Sequence, residues 1–172
     1  MKNLRFPAMI MVALVIGFLV MLSSSAHALP ERVASHFDAS GRPNGWTDRS
    51  AFLLLMGGVG LTFPLLFAAL FLLARFAPFF LTSASGGRWL AAGPGVTFNY
   101  LLRRSFWFGS MILAFIAAVQ ALILEANAAS PPRLQTVTLM IVLAGFTVGV
   151  MFWSFSLLHH FSQMRRTAQP LP

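Results

Sequence analysis

The chain has 172 residues, 58% of them hydrophobic and only 9% charged, and it contains no cysteine. A soluble domain carries roughly a quarter charged residues, so the composition excludes a soluble globular domain and makes the bilayer the solvent to reason about. The missing cysteine excludes disulfides, thiolate nucleophiles and Cys-ligated metals, and the net charge of +8 calls for a topological explanation before a nucleic-acid one.

A helix needs about 20 apolar residues to cross the hydrocarbon core, and four segments qualify. The first is uncharged from Phe6 to Leu22 and continues weakly to Ala28, after Lys2 and Arg5. Ala26-His27-Ala28 is similar to a secretory cleavage site. The apolar run, however, exceeds the roughly 7–15 residues of a signal sequence, so a retained span over 6–28 is expected.

The connection 29–50 follows, and its stretch LPERVASHFDASGRPNGW is the most polar part of the chain. Val33, Ser35 and Phe37 alternate with Ala34 and His36, which predicts a short extended piece over Glu31–Asp38. Asp38–Gly41 and Arg42–Gly45 are both turn sequences. Trp46 suits a membrane–water boundary, and Thr47 or Asp48 can cap the next helix. The layout predicts a hairpin-like cap over one mouth of a bundle. His36 and Asp38, even with His27, are too few and too loosely spaced to assign a metal site. A histidine bonded to a turn carbonyl is the expected role of His36, with pH sensing as the other use of the residue type.

The second span, 51–74, holds Gly57, Gly58, Gly60 and Pro64. Proline removes the hydrogen bond to the Gly60 carbonyl, so a kink is expected. It is either an ordinary membrane kink packed by small residues or the broken helix of a carrier. The inner connection 75–104, with Phe79, Phe80 and Trp89, is apolar enough to lie along the membrane surface. The third span, 105–124, carries a small-residue stripe at Ser110, Ala114 and Ala118 for helix contact, and Gln120, which needs a hydrogen-bond partner on another span. The fourth, 137–158, contains Gly145-Phe-Thr-Val-Gly149, a GxxxG pattern that serves either internal packing or a dimer seam. His159 and His160 follow as inner-interface residues.

Four spans sort the charges onto two sides. Lys2, Arg5, Arg75, Arg88, Arg103, Arg104, Arg165 and Arg166 fall on one side with no acid. Glu31, Arg32, Asp38, Arg42, Asp48, Arg49, Glu125 and Arg133 fall on the other and cancel. The positive-inside rule reads this as N-in and C-in, with 29–50 outside. It accounts for the whole net charge, so no nucleic-acid partner is expected. The fold expected is therefore a single all-α integral membrane domain over 1–172, with four transmembrane helices and a short extracytoplasmic cap between the first two.

The central half of each span lacks Asp, Glu, Lys, Arg and His, which argues against ion pumps, proton-coupled carriers and voltage sensors. Neither H-E-x-x-H nor paired intramembrane aspartates occur. No catalytic, cofactor-binding or metal-binding residue is assigned, and an enzyme is not expected.

The motif L-P-x-x-V-A-x-H-F-x-x-x-G-x-P-N-G-W between two spans resembles the bacterial membrane proteins grouped as domain of unknown function 1648, the SdpI-like family. The matching positions are Leu29, Pro30, Val33, His36, Phe37, Gly41, Pro43, Asn44, Gly45 and Trp46, and the likeness covers about the first 55 residues. The resemblance implies a retained first span, a multi-pass protein of the bacterial cytoplasmic (inner) membrane, and an outer cap formed by Pro30, His36, Phe37, Gly41, Pro43, Asn44, Gly45 and Trp46. It also implies an immunity or envelope-sensing role, with a peptide toxin, an envelope component or another membrane protein as partner beside the lipid bilayer. The alternatives are a carrier or channel subunit for a neutral or amphipathic solute, sited at Gly57–Pro64, and a structural subunit of a membrane complex.

Overall fold

The computed structural model describes residues 2–73 and 94–167. Helix α1 covers Lys2–Ala28, strands β1 Arg32–Phe37 and β2 Pro43–Asp48 follow, and helices α2 Arg49–Leu73, α3 Pro94–Ala128 and α4 Thr136–Thr167 complete the order. All four helices are long and apolar enough to cross a membrane. The one sheet among the described residues is a two-stranded antiparallel hairpin, which sits where the hairpin-like cap is expected between the first two helices. Residues 74–93, most of the inner connection expected over 75–104, lie outside the described residues.

The helices overrun the apolar segments that announced them. Helix α3 begins at Pro94, within the stretch read as connection, and α4 continues past Leu158 through the two histidines. Hydropathy marks only the part of a helix immersed in hydrocarbon. Backbone hydrogen bonding carries the helix further into polar surroundings, and a proline is well placed at a helix start because its missing N–H has no intrahelical partner there.

Three helices share a core and the fourth leans on it. Helix α1 buries Met11, Phe18 and Ser25, a seven-residue repeat that keeps one stripe turned inward, and Leu29 is buried just past its end. The inward stripe of α3 is Leu102, Ser105, Gly109, Leu113, Ile116, Gln120 and Ile123. Among the described elements α4 packs against α3 alone. In lipid, apolar burial gives little net gain because the tails are as apolar as leucine, so close packing must hold the helices together. Gly60 lets the Phe18 ring lie where a Cβ would stand 2.4 Å from it, and Gly109 brings α3 onto the backbone of Pro64.

These contacts bear on three expectations. Helix α2 runs through Pro64 without interruption, and Phe18, Leu22 and Gly109 pack against its Gly57–Pro64 stretch, the arrangement expected of a proline site packed by small residues. The small-residue stripe is only partly buried: Ser110 is inside, whereas Ala114 is exposed. The seam follows Gly109, Leu113 and Ile116 instead, because α3 is squeezed between two helices and needs knobs as well as flat surface. The GxxxG pattern divides as well, with Gly149 against Met111 and Gly145 facing open space. Gln120 meets expectation: its Nε2 donates to Ser25 Oγ of α1 at 3.0 Å, with both residues fully buried.

Candidate functional site

The hairpin occupies one end of the bundle, against α2 and α3. Its register pairs Arg32 with Asp48, Val33 with Thr47, Ala34 with Trp46, His36 with Gly45 and Phe37 with Pro43. Ser35 and then Asn44 are left unmatched, one on each strand. Each extra residue turns the strand and breaks the two-residue alternation. Val33 and Ala34, which precede both irregularities, are nevertheless both buried, where strict alternation predicts one in and one out. The Arg42–Gly45 segment, read as a second turn, lies largely in β2. Pro43 opens that strand, a place where its lack of an N–H is tolerated.

The outer edge of β1 is closed by α3. Asn127 Oδ1 accepts the N–H of Ala34 at 2.8 Å, while its Nδ2 donates to the carbonyls of Ala34 at 3.0 Å and of Ile123 at 2.8 Å. The carboxamide thus satisfies both backbone groups of a fully buried strand residue, as a third strand would. Val33 and Leu29 pack with Phe52 and Ile123 beneath the hairpin, and Phe37 packs on Leu122, Ala126 and Leu134. At the α2 entry, Arg49 donates from its N–H to the Glu31 carbonyl at 2.9 Å and from Nη1 to the Leu29 carbonyl at 3.0 Å.

The single tight turn is built on Asp38. Its Oδ1 accepts from the Ser40 N–H at 2.8 Å, the Ser40 hydroxyl at 2.7 Å and the Arg42 N–H at 2.9 Å. The Ser40 hydroxyl first, then the Arg42 N–H, hold the Asp38 carboxyl below its ordinary pKa of 3.8. A carboxyl whose folded pKa is depressed lends stability above its unfolded pKa and loses it as pH falls through the folded value. Amide exchange at Ser40 and Arg42, corrected for intrinsic rate, is therefore expected to stay slow above pH 3.8 and to accelerate only on acidification below it. Asp38→Asn should show fast exchange at every pH. An unchanged exchange rate in that variant would remove the carboxylate from the account.

Gly41 is buried with φ +79°, and a Cβ there would stand 2.3 Å from the Leu134 carbonyl oxygen. Its own carbonyl accepts the Leu134 N–H at 2.9 Å. The turn is therefore stapled to the connection between α3 and α4. Gly45 faces His36, whose Cβ and Nδ1 would lie 2.9 Å and 3.1 Å from an added Cβ.

His36 is exposed. Its Nδ1 lies 3.0 Å from Ser35 Oγ, which is in turn 2.7 Å from Thr47 Oγ1. The expected turn-carbonyl partner is replaced by a hydroxyl pair, because the Ser35 irregularity brings that side chain alongside the ring. The Asp38 carboxylate is engaged by turn donors, and among the described residues no three His, Cys, Asp or Glu side chains gather as metal ligands. The eight motif residues thus divide. Phe37, Gly41, Pro43 and Gly45 build and dock the hairpin, while Pro30, His36, Asn44 and Trp46 are exposed, Trp46 by 45%.

Sequence reasoning missed Asn127 and Leu134, which lie far along the chain from the motif they hold. A lone Asn beyond the end of an apolar run carries no mark of its partner. No curated protein and no solved structure matches the chain. The family model described as Domain of unknown function (DUF1648) matches residues 9–61, from α1 through the hairpin into α2. Over those residues, about a third of its length, the chain is similar to the domain of unknown function 1648 family.

Proposed function

We propose that this is a protective or envelope-sensing module of the bacterial inner membrane, SdpI-like in role, that binds a peptide toxin or envelope component through its hairpin. The orientation that goes with this reading is N-in and C-in, since eight of the twelve Lys and Arg lie on the side opposite the hairpin. The observation that carries the proposal is the division of the motif. The motif glycines and Phe37 dock the hairpin, yet His36, Asn44 and Trp46 remain exposed on its surface. An exposed aromatic on a rigid, preorganised support is the kind of group that anchors a partner. The packed Gly57–Pro64 stretch gives the carrier alternative no comparable support.

The test is survival of cells challenged with a panel of amphipathic membrane-active peptides. Trp46→Ala and His36→Ala are expected to lower the tolerated concentration, Trp46→Ala by about tenfold, the scale of losing one aromatic anchor. Expression and thermal unfolding in detergent should match wild type, because neither side chain is buried. Wild-type tolerance in both variants would reject the hairpin as a recognition surface.

A further inference from the structure

The chain holds four carboxylates, Glu31, Asp38, Asp48 and Glu125, and all four lie at the hairpin end. Glu31 precedes β1, Asp48 ends β2, Asp38 forms the turn, and Glu125 accepts from Gln135 Nε2 at 2.6 Å beside the α3–α4 connection. At the other end of α3 stand Arg103 and Arg104, both half-buried. The uncharged run Ser105–Leu124 separates them from Glu125 by about 30 Å of helix, close to the thickness of the hydrocarbon core. No Asp or Glu side chain of this chain can serve as their counter-ion.

Their surroundings are nevertheless ordered. Arg104 Nε donates to the Tyr100 hydroxyl at 3.1 Å, and Nη2 donates to Ser156 Oγ of α4. The Arg104 carbonyl accepts the Trp153 indole N–H at 3.1 Å. The Tyr100 ring stacks on His160 at 3.7 Å and lies 5.9 Å and 5.3 Å from the Arg103 and Arg104 guanidinium carbons. Two helices thus bring Tyr100, Arg103, Arg104 and His160 to one depth. Topology alone needs basic residues on one side of the membrane. It does not need two guanidiniums gathered on one tyrosine, with Arg104 bonded to a neighbouring helix.

Every one of those partners is neutral in its hydrogen bond or ring contact, so the two like charges stay uncompensated. Guanidinium matches phosphate oxygens in geometry as well as charge. Next along α4 to the Trp153 and Ser156 that Arg104 bonds, Phe152 and Phe155 are exposed by 72% and 69%, one helical turn of apolar surface. A free anion would not use that surface, whereas an acyl chain would. We propose that the α3–α4 junction at Arg103 and Arg104 binds the phosphate headgroup of an anionic phospholipid, whose tail lies along α4.

The full chain reconstituted in nanodiscs of phosphatidylcholine, with or without phosphatidylglycerol, and then released for native mass spectrometry tests this. Wild type should retain phosphatidylglycerol in preference to phosphatidylcholine. Arg103→Gln keeps every hydrogen bond of Arg104 and should lose that preference about fivefold, the scale of one basic residue at the surface. Adding Arg104→Gln should lose more, with helicity by circular dichroism as the folding check. Arg133→Gln, the same charge change at the hairpin end, should retain the wild-type preference. An undiminished preference in Arg103→Gln, or an equal loss in Arg133→Gln, overturns the site. Inorganic phosphate added to phosphatidylcholine discs should leave thermal stability unchanged. A stabilisation equal to that from phosphatidylglycerol would overturn the lipid as its source.

Discussion

Replacing Asn127 by Ala should free the hairpin from the bundle while leaving the helices in place. The carboxamide satisfies the N–H and C=O of Ala34, a residue with no exposed surface. Leaving a buried backbone group unpaired costs about 1–3 kcal/mol. Two such groups, partly relieved by water entering at the bundle end, put the expected loss at about 2–4 kcal/mol. Unfolding of the full chain in mixed detergent micelles measures the total, and amide exchange at Ala34 locates it. Asn127→Asp separates pairing from bulk. It keeps an acceptor for the Ala34 N–H but sets a carboxylate against the carbonyls of Ala34 and Ile123, so it should not restore wild-type protection. If Ala34 exchanges as slowly in Asn127→Ala as in wild type, the carboxamide clamp is not what holds β1.

The contrast between Asn127 and the spans explains what could be read from the chain. Hydropathy is a property of each segment alone, so the four helices were legible, as was an extended piece before Asp38. Charge placement is additive along the chain in the same way. Contacts are properties of pairs. Nothing in Glu125-Ala126-Asn127-Ala128 says that its amide meets a strand 93 residues earlier. Gln120 was readable one step further than Asn127, since a lone carboxamide inside hydrocarbon must find a partner, although Ser25 as that partner was not. Helical phase was the other loss. Ser110, Ala114 and Ala118 sit at a spacing suited to helix contact, but a helix gripped from two sides turns Gly109, Leu113 and Ile116 inward instead. The motif residues were legible as a group because glycine, proline and aspartate announce turns. Their division into docking and exposed members needed the two strand irregularities, which composition does not encode.

Gly41→Ala should undock the hairpin tip, and the reason is a backbone contact more than the dihedral alone. The left-handed conformation at φ +79° costs an L-residue about 1–2 kcal/mol. The added Cβ would also stand 2.3 Å from the Leu134 carbonyl oxygen, and a backbone oxygen cannot swing aside as a side chain can. The tip must move off the α3–α4 connection, which breaks the Leu134 N–H to Gly41 carbonyl bond and loosens Phe37 from Leu134 and Ala126. Forced overpacking adds about 1–3 kcal/mol, for an expected total of about 2–5 kcal/mol. Gly41→Asn distinguishes the two causes. Asparagine tolerates the left-handed region far better than alanine but carries the same Cβ, so it should undock the tip nearly as far. The measurement is amide exchange at Leu134. Recovery of Leu134 protection in Gly41→Asn would show that the dihedral, not the contact, sets the cost, and protection in both variants would show that the staple is not needed. If the tip undocks as expected, peptide tolerance should fall with the bundle still folded, because the exposed His36 and Trp46 would then be carried on a loose support.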